Sequence, residues 1–591
     1  MNKLNGNLIA RAESAYDYQL LIKNLLFNPL AENPEQEIVY RGQLRFTYTE
    51  FKKRVCRLAN ALSRIGVKAG DTVAVMDYDS HRYLECFFAV PMLGAVLHTI
   101  NTKLSPEQIF YTIEHAEDDI LLVNSDYLPI LEPMRARIDV LQKLILIKEH
   151  DNTDTPHGSF IGEYEDLLAK ENDNYDFPDF NENTRATTFY TTGTTGLPKG
   201  VYFSHRQLVL HTMSALSAFC SPAVQGRIHR DDVYMPMTPM FHVHAWGIPY
   251  MATCMGIKQV YPGRYIPENL LELITKEKVS FSHCVPTILH MLFKHPHAAQ
   301  VDFNGWRIVI GGAALPKALC LDALRRGIDI YTGYGLSETC PILSLAQLKP
   351  EMLGLSLEEQ VEHRCKTGVT LPLVDVRIMD EDMNELPRDG ESAGEIVVRA
   401  PWLTQGYLKD NVNSEKLWQG GFMHTGDVAY RDAQGYIKIT DRSKDVIKVG
   451  GEWVSSLELE DTIARHNAVS EVAVISQPDE KWGERPLALV VLKAEFVGKV
   501  TEKDILHFTH GYLDKGILGK QVVLLKLRFV DALLRTSVGK LNKLAMRKLY
   551  SGSDTGKPLT ANIEMVEDSG RNTLSCKPMI EENSQTGALE K

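Results

Sequence analysis

Short runs of β-branched and other apolar residues alternate with segments of helical hydrophobic spacing over about the first 440 residues. Four of these runs are DTVAVMDY, ILLVNSD, KLILIKE and RIVIGG. Between two such runs, residues 205–220 place Val209, Met213, Leu216 and Cys220 at helical spacing, which predicts a helix with these four side chains in the core. Apolar runs that alternate with helices are typical of βα units, so the pattern predicts an α/β fold with parallel strands.

A second pattern begins near Asp441, after the strand-like run YIKIT. The segment SSLELEDTIARH starts with Ser455 and Glu458 in capping-box spacing and predicts a helix. EVAVISQ and LALVVLK then indicate strands, and TEKDILHFTH indicates a further helix. We therefore predict a large domain over residues 1–440 and a compact α+β domain over 441–550. The polar remainder, 551–591, is rich in Ser, Gly, Asn and Glu and is predicted to be disordered.

Composition narrows the class of protein. The chain has 591 residues, 44% of them hydrophobic and 24% charged, which fits a globular protein of several domains. A net charge of −12 argues against general nucleic-acid binding, because phosphate neutralisation needs surplus Lys and Arg. The nine cysteines include no CxxC pair, so they predict inert thiols in a reducing compartment. Without a signal peptide or a long apolar segment, the sequence predicts a cytoplasmic protein with no membrane span.

The segment TTGTTGLPKG at 191–200 carries the sharpest chemical signal. Its glycines, threonines and Lys199 can surround phosphate oxygens with N–H groups, hydroxyls and one cation. The segment is not a Walker A motif, because Lys199 follows Pro198 and precedes Gly200. The residue types therefore predict a phosphate-binding loop, and the position of Lys199 excludes a P-loop kinase or NTPase.

This loop resembles the signature of the adenylate-forming superfamily, which contains acyl-CoA synthetases, luciferases and the adenylation domains of peptide synthetases. Other motifs of the superfamily follow in its order: GGAAL at 311–315, YTGYGLSET at 331–339, HTGD at 424–427, GYIKITDRSKDVIKVGGEWVSSLELED at 435–461 and RTSVGKLNK at 535–543. The resemblance covers about 40 to 550 and is greatest to medium-chain fatty acyl-CoA synthetases and their relatives that act on short thioether acids. It implies a large N-terminal domain of stacked mixed sheets with flanking helices, and a small mobile α+β C-terminal domain.

The resemblance also implies a reaction in two halves. A carboxylate attacks the α-phosphate of ATP to give an acyl-adenylate and pyrophosphate, and the CoA thiol then attacks the acyl carbon. Lys540 and Glu338 would serve the first half, with Mg²⁺ held by Glu338, and Lys448 would enter the site for the second. The implied phosphate contacts are Thr191, Thr194 and Lys199, and the implied ribose contacts are Asp427 and Arg442. Adenine would lie among Gly312, Ala313, Ala314, Gly333, Tyr334 and Gly335. Ser337 is a further implied nucleotide contact and stands where the family usually has Thr.

Domain rotation and CoA entry are implied by the same motifs. The hinge would be Lys444, two residues after the arginine of its motif, and Gly450 and Gly451 would line the pantetheine tunnel.

The acid would bind along PMFHVHAWGIPY at 239–250, with His242, Val243, Trp246 and Gly247 as lining. His242 stands where amino-acid-activating domains carry Asp, which argues against an amino-acid substrate. His242 and His244 have no third ligand at suitable spacing, so zinc is not expected.

The sequence thus predicts an ATP-dependent ligase joining a fatty or other apolar carboxylic acid to CoA. Two alternatives stay open: a fatty acyl-AMP ligase that loads a carrier protein, and an inactive homologue that binds an acid. The predicted partners are the acid, ATP and CoA, with no nucleic acid. Peripheral membrane contact and a homodimer also stay open, as do the acid's chain length and the role of the segment after 550.

Overall fold

A computed structural model describes residues 7, 9–134, 137, 143–149, 160–191, 197–442, 445–449, 452–479, 481–512, 520–535 and 541–550. Its strands are β1 Glu37–Tyr40, β2 Leu44–Thr47, β3 Thr72–Met76, β4 Val96–Thr99, β5 Ile120–Asn124, β6 Leu144–Ile147, β7 Gly162–Glu163, β8 Arg185–Thr191, β9 Lys199–Ser204, β10 Val233–Met237, β11 Lys258–Tyr261, β12 Phe281–Cys284, β13 Arg307–Ile310, β14 Asp329–Gly335, β15 Ile342–Leu345, β16 Val369–Thr370, β17 Asp375–Met379, β18 Gly394–Arg399, β19 Met423–Arg431, β20 Ile437–Arg442, β21 Ile447–Val449, β22 Glu452–Val454, β23 Val469–Asp479, β24 Gly483–Leu492 and β25 Lys526–Phe529.

Helices connect most of the strands. They are α1 Phe27–Glu32, α2 Tyr48–Arg64, α3 His81–Met92, α4 Pro106–Ala116, α5 Leu128–Leu131, α6 Tyr164–Leu168, α7 His205–Cys220, the single turn α8 Val243–Trp246, α9 Ile248–Met255, α10 Pro267–Glu277, α11 Pro286–Lys294, α12 Lys317–Arg325, α13 Leu357–Arg364, α14 Asn411–Leu417, α15 Ser456–Ala464, α16 Glu502–His510 and α17 Lys543–Tyr550.

Two large mixed sheets dominate the part of the chain before residue 371. One has seven strands in the order β7-β6-β5-β3-β4-β8-β9, and the other has nine in the order β16-β15-β14-β13-β12-β10-β11-β1-β2. Neighbouring strands run parallel except for β8/β9, β1/β2, β14/β15 and β15/β16. The prediction of an α/β fold with mixed sheets is confirmed, and β3, β5, β6 and β13 fall on the four apolar runs.

One hydrophobic cluster joins the two sheets. It includes Val75 of β3, Phe87 of α3, Tyr250 of α9 and Tyr261 of β11. Every residue of α3 is buried, because this helix lies between packed layers rather than on a surface. Of its two buried charged residues, Glu85 is compensated there, since it accepts hydrogen bonds from Arg54 and Tyr164.

A four-stranded sheet, β17-β18-β19-β20, leads to the C-terminal part of the chain. There β21 to β25 form a five-stranded sheet that packs with α15, α16 and α17. The predicted helices near 456 and 502 and the predicted strands near 471 and 487 are all present. Ser455 caps α15 by accepting a hydrogen bond from the Glu458 backbone N–H at 3.2 Å.

The predicted buried face of α7 is wrong in part. Val209 is buried, but the Met213 side chain is 41% exposed, and Leu216 and Cys220 are half-buried. The buried face instead follows Leu208, Thr212, Ala215 and Phe219. Periodicity identified the helix, but polar residues that the fold buries, such as Thr212, rotate its inner face away from the most apolar stripe.

The sequence also predicted inert thiols and no membrane span. Of the eight cysteines in the described residues, all are free; five are buried and three, Cys220, Cys254 and Cys365, are half-buried. Within the same described ranges, no helix has the length and hydrophobicity needed to cross a bilayer. The segment 551–591, predicted to be disordered, lies outside the described residues.

Candidate active site

The predicted phosphate loop connects two antiparallel strands. Thr191 at the end of β8 pairs in register with Lys199 at the start of β9. Both residues therefore lie at the loop end of a hairpin, one on each side of the loop. The loop itself, 192–196, includes Thr194 and lies outside the described residues.

Lys199 and the predicted metal ligand Glu338 meet at one tyrosine. The Lys199 Nζ lies 4.6 Å from the centre of the Tyr407 ring, and the Tyr407 hydroxyl donates a 2.8 Å hydrogen bond to Glu338 Oε1. Burial, with the nearby Glu338 carboxylate, raises the pKa of Tyr407, so this hydroxyl stays protonated and donates. Ser337 is half-buried in the same short turn, Ser337–Thr339.

The predicted adenine and ribose contacts form a second cluster. The Tyr334 hydroxyl donates to Asp427 Oδ2 at 2.7 Å, and Arg442 Nε lies 3.2 Å from Asp427 Oδ1. Burial, followed by the Asp427 charge, raises the pKa of Tyr334. The backbone of β19 beside Asp427 is fixed by Glu395, which accepts a 2.9 Å hydrogen bond from the Gly426 N–H.

Small residues keep the space beside Tyr334 open. Gly312, Ala313 and Ala314 form an exposed turn directly after β13, and Gly312 has a φ of +74°. A Cβ on Gly335 would lie 1.8 Å from the Pro341 carbonyl oxygen, so only glycine fits there. Gly333 is similarly close to the neighbouring strand.

The predicted acid-binding segment has an unusual backbone. Val243, His244, Ala245 and Trp246 have φ values of 49°, 55°, 47° and 61°, so α8 is a left-handed turn, which Gly247 continues with a φ of 72°. Consecutive left-handed residues are strained for L-amino acids, and such strain persists only where the surroundings fix it.

Hydrogen bonds and packing hold this left-handed turn in place. Asp79 Oδ1 accepts a 2.8 Å hydrogen bond from the Met240 N–H, and Thr99 donates to the Phe241 carbonyl at 3.1 Å. The Tyr265 hydroxyl donates to the other Asp79 oxygen. Burial raises the pKa of Asp79 to about 7.

Trp246 links the acid-binding segment to the nucleotide cluster. Its side chain is 6% exposed, and its ring centre lies 4.8 Å from that of His283. A Cβ on Gly311 would lie 2.9 Å from the Trp246 indole and from the Gly333 carbonyl oxygen. Gly311 therefore lies against both the predicted acid pocket and the predicted adenine wall. His242 is half-buried before the turn, and Val243 is buried within it.

Three histidines around the left-handed turn are fully buried. Burial lowers the pKa values of His211, His244 and His283 to about 3, so all three are neutral. His244 packs among the rings of Phe87 and Phe189. These three imidazoles therefore add no charge to the predicted lining.

Several predicted residues belong to the C-terminal part of the chain. Lys448 lies on β21 with an exposed side chain, and its N–H donates to Glu484 at 2.8 Å. Lys444, Gly450, Gly451 and Lys540 lie outside the described residues.

Four residues of the site were missed by the sequence reasoning: Tyr407, Asp79, Glu395 and Gly311. Tyr407 and Asp79 come close to the site only through long-range packing, so no local pattern marks them. Gly311 was visible as the first residue of GGAAL, but only the structure shows its contact with Trp246.

Comparison with known proteins identifies the family. The model of the AMP-binding enzyme family matches residues 26–408, and that of the AMP-binding enzyme C-terminal domain matches 458–540. A long-chain-fatty-acid–CoA ligase of Thermus thermophilus is 39% identical over 542 residues, covering 90% of this chain and 96% of the relative. A medium-chain-fatty-acid–CoA ligase of Ectopseudomonas oleovorans is 33% identical over 544 residues, covering 90% of this chain and 96% of the relative.

Two solved structures are similar to this chain. A Mycobacterium tuberculosis fatty acyl CoA synthetase is 27% identical with a TM-score of 0.65, covering 90% of this chain and 98% of its own. An anthranilate CoA ligase in complex with anthranoyl-AMP shares the fold, with 24% identity and a TM-score of 0.78, covering 90% of this chain and 97% of its own.

The chain belongs to the AMP-binding enzyme family, and the predicted membership of the adenylate-forming superfamily is confirmed. Within that superfamily it is an enzyme of the acyl-CoA ligase class.

Proposed function

We propose that this chain is an ATP-dependent ligase that joins a fatty or other apolar carboxylic acid to CoA through an acyl-adenylate and releases AMP and pyrophosphate. One observation carries the proposal. Lys199 and Glu338 meet at Tyr407, Tyr334 and Arg442 hold Asp427, and Gly311 lies against both Trp246 and the strand that carries Tyr334.

Adenylation brings two anions together, so charge neutralisation is the main requirement. Thr191, Thr194 and Lys199 would hold the β- and γ-phosphates. Glu338 would hold Mg²⁺, which supplies positive charge at the phosphates when bound. The residues present fit such an ion, because Glu338 Oε2 makes no hydrogen bond within the described part of the chain and stays available as a ligand.

The nucleoside would occupy the second group. Tyr334 would pack on adenine against the open turn at Gly312, Ala313 and Ala314, where the exposed backbone permits close approach. Asp427 would accept hydrogen bonds from the ribose hydroxyls, a task that a nearly buried carboxylate already oriented by Tyr334 and Arg442 can perform.

Thioester formation would use the C-terminal domain, which we place at 441–550. Lys540 would serve adenylation, and rotation at Lys444 would then bring Lys448 to the site. Gly450 and Gly451 would leave room for pantetheine, because a Cβ there would narrow its path.

The lining of the acid pocket supports an apolar monocarboxylic acid. Val243, Trp246 and Gly247 present no charge, and the three buried histidines behind them are neutral. A second carboxylate or an ammonium group on the substrate would be buried there without a counter-charge, which is strongly unfavourable.

Pyrophosphate release tests this proposal. Straight-chain, branched and aromatic acids would each be incubated with ATP, alone, with CoA, and with a holo carrier protein. We expect pyrophosphate release with one class of apolar acid and thioester formation with CoA. Preferential transfer to the carrier protein would favour the fatty acyl-AMP ligase instead, and no release with any acid would support an inactive acid-binding homologue.

A further inference from the structure

Tyr407 is held rigidly between the phosphate hairpin and the Glu338 turn. The Leu408 N–H donates to the Gly200 carbonyl at 2.8 Å, and the Thr404 N–H donates to the Glu338 carbonyl at 2.9 Å. The Tyr407 N–H donates to Ser414 Oγ at 2.8 Å. The backbone on both sides of the tyrosine is thus tied to the two elements that carry Lys199 and Glu338.

The side chain of Tyr407 uses both of its functional parts. Its ring face meets the Lys199 ammonium at 4.6 Å, a distance at which cation–π attraction orients the lysine. Its hydroxyl donates to Glu338 Oε1, which fixes the carboxylate rotamer, and among the described residues Oε2 makes no hydrogen bond. A hydrogen bond from a fixed neighbour orients a metal-binding carboxylate and tunes its affinity.

We propose that Tyr407 is a positioning residue that sets the geometry of Glu338 for Mg²⁺ and of Lys199 for the ATP phosphates, so that metal and nucleotide bind as a unit. This inference rests on the proposed function, because it takes Glu338 as the metal ligand. It assigns the two halves of one side chain to different ligands: the hydroxyl to the metal and the ring to the phosphates.

The roles of the Tyr407 hydroxyl and the Tyr407 ring can be separated by substitution. Tyr407→Phe removes only the hydroxyl, and Tyr407→Leu also removes the ring beneath Lys199. Tyr202→Phe is the matched control, because the Tyr202 hydroxyl makes no hydrogen bond within the described residues while its carbonyl accepts one from Thr404. Melting temperatures of the full-length variants establish that each is folded.

Two measurements test the proposal. Calorimetry without acid gives the ATP affinity, once in EDTA and once with Mg²⁺. Electron paramagnetic resonance follows Mn²⁺ binding. We expect Tyr407→Phe to weaken Mn²⁺ binding in the ATP complex by roughly 10-fold and to leave ATP affinity in EDTA unchanged. Tyr407→Leu should lower ATP affinity in EDTA as well. In a Glu338→Gln background, Tyr407→Phe should have no further effect on metal binding.

Three results would contradict the assignment. The first is unchanged Mn²⁺ binding in Tyr407→Phe, and the second is a loss of ATP affinity in Tyr407→Phe that is equal with and without metal. The third is a loss of Mn²⁺ binding in Tyr202→Phe as large as that in Tyr407→Phe. A wild-type chain that binds Mn²⁺ with ATP but releases no pyrophosphate with any acid would overturn the proposed ligase activity while the metal titration still supports the role of Tyr407. A wild-type chain whose ATP binding is independent of metal would overturn both.

Discussion

At the scale of single residues, the site depends on side chains whose roles follow from burial. Trp246 is nearly buried and lies beside His283 and Gly311, so its indole would limit the space for an acyl tail in the proposed pocket. Asp79 is a buried carboxyl that holds the backbone of the same segment. Each of these roles gives a measurable expectation.

Trp246→Ala should shift substrate preference toward longer or bulkier acids. Loss of the indole opens apolar volume, and each methylene accommodated is worth about 1 kcal/mol or more in discrimination. Relative kcat/KM over a series of acids measures the shift. Trp306→Ala, which removes another buried tryptophan in a different hydrophobic cluster, should lower stability without changing the preference. An equal loss for every acid in Trp246→Ala would place this side chain outside the pocket.

Asp79→Asn should reduce the pH dependence of stability. Folding raises the pKa of Asp79 to about 7, so between about pH 4 and pH 7 the folded state holds a proton that the unfolded chain has released. The free energy of unfolding of the wild type therefore falls as pH rises through this range.

In the Asn variant that fall should be smaller by roughly 2–3 kcal/mol between pH 5 and pH 8, at about 1.4 kcal/mol per pKa unit. Asn keeps an oxygen for the Met240 N–H. Urea unfolding at both pH values measures the difference, and Asp77, whose pKa burial also raises to about 6, contributes to both proteins alike. Parallel pH profiles would show that Asp79 does not titrate in this range.

Lys540→Ala should separate the two half-reactions. Loss of one charged donor to the transition state should lower adenylate formation by roughly 10²-fold or more. Thioester formation from supplied acyl-AMP should stay close to the wild-type rate. Lys548→Ala, at an exposed position of α17, is the control and should change neither step. An equal decrease in both half-reactions would refute this division of roles.

At the scale of elements, the left-handed turn at Val243–Gly247 is the most distinctive feature of the site. A Cβ on Gly247 would lie 2.9 Å from the ring of His211, and this ring is fixed because its Nε2 accepts the Ile342 N–H. The packing of the turn against α7 and the start of β15 therefore leaves no room for a side chain at Gly247.

Gly247→Ala should lower the free energy of unfolding by roughly 2–4 kcal/mol, the sum of strain at positive φ and overpacking against His211. Gly305→Ala is a matched control, because Gly305 has a φ of +79° and nothing within 4 Å of an added Cβ. It should lose only about 1 kcal/mol. Chemical unfolding of both variants makes the comparison, and equal losses would show that contact with His211 is unimportant.

Some elements of the structure could be predicted from the sequence and others could not. The strands β3, β5, β6 and β13 were predictable because each is a short apolar run between helical segments. The turn at 243–247 was not, because Val, His, Ala and Trp are all residues that normally avoid positive φ, and only tertiary contacts enforce it. The inner face of α7 was displaced for a related reason: contacts with other elements decide which residues a helix buries.

The same distinction applies to the site. The loop between β8 and β9 and the HTGD segment of β19 were visible as local motifs, but the meeting of Lys199 and Glu338 at Tyr407 joins three distant segments. Such a contact depends on how the two large sheets pack, and periodicity carries no information about it.

At the scale of the whole molecule, the connection between β20 and β21 joins the four-stranded sheet to the C-terminal sheet. Polar contacts lie beside it: the Ser456 N–H donates to Asp441 at 2.8 Å, and Arg547 pairs with Asp445 at 2.7 Å. Burial raises the pKa of Asp441, which faces the Lys543 charge from the C-terminal part. Asp441 and Asp445 therefore tie this connection to α15 and α17.

Lys444→Pro should separate the half-reactions through the domains rather than through a catalytic group. Proline fixes φ near −65° and restricts the preceding residue, so one domain orientation should be trapped. Because adenylation comes first, we expect pyrophosphate release with acid and ATP to persist while transfer to CoA collapses. Lys444→Ala removes the same side chain but keeps φ free, so it should retain both steps. If Lys444→Pro formed acyl-CoA at the wild-type rate, the pivot would have to lie elsewhere, and if Lys444→Ala lost transfer as well, the side chain and not the backbone would be responsible.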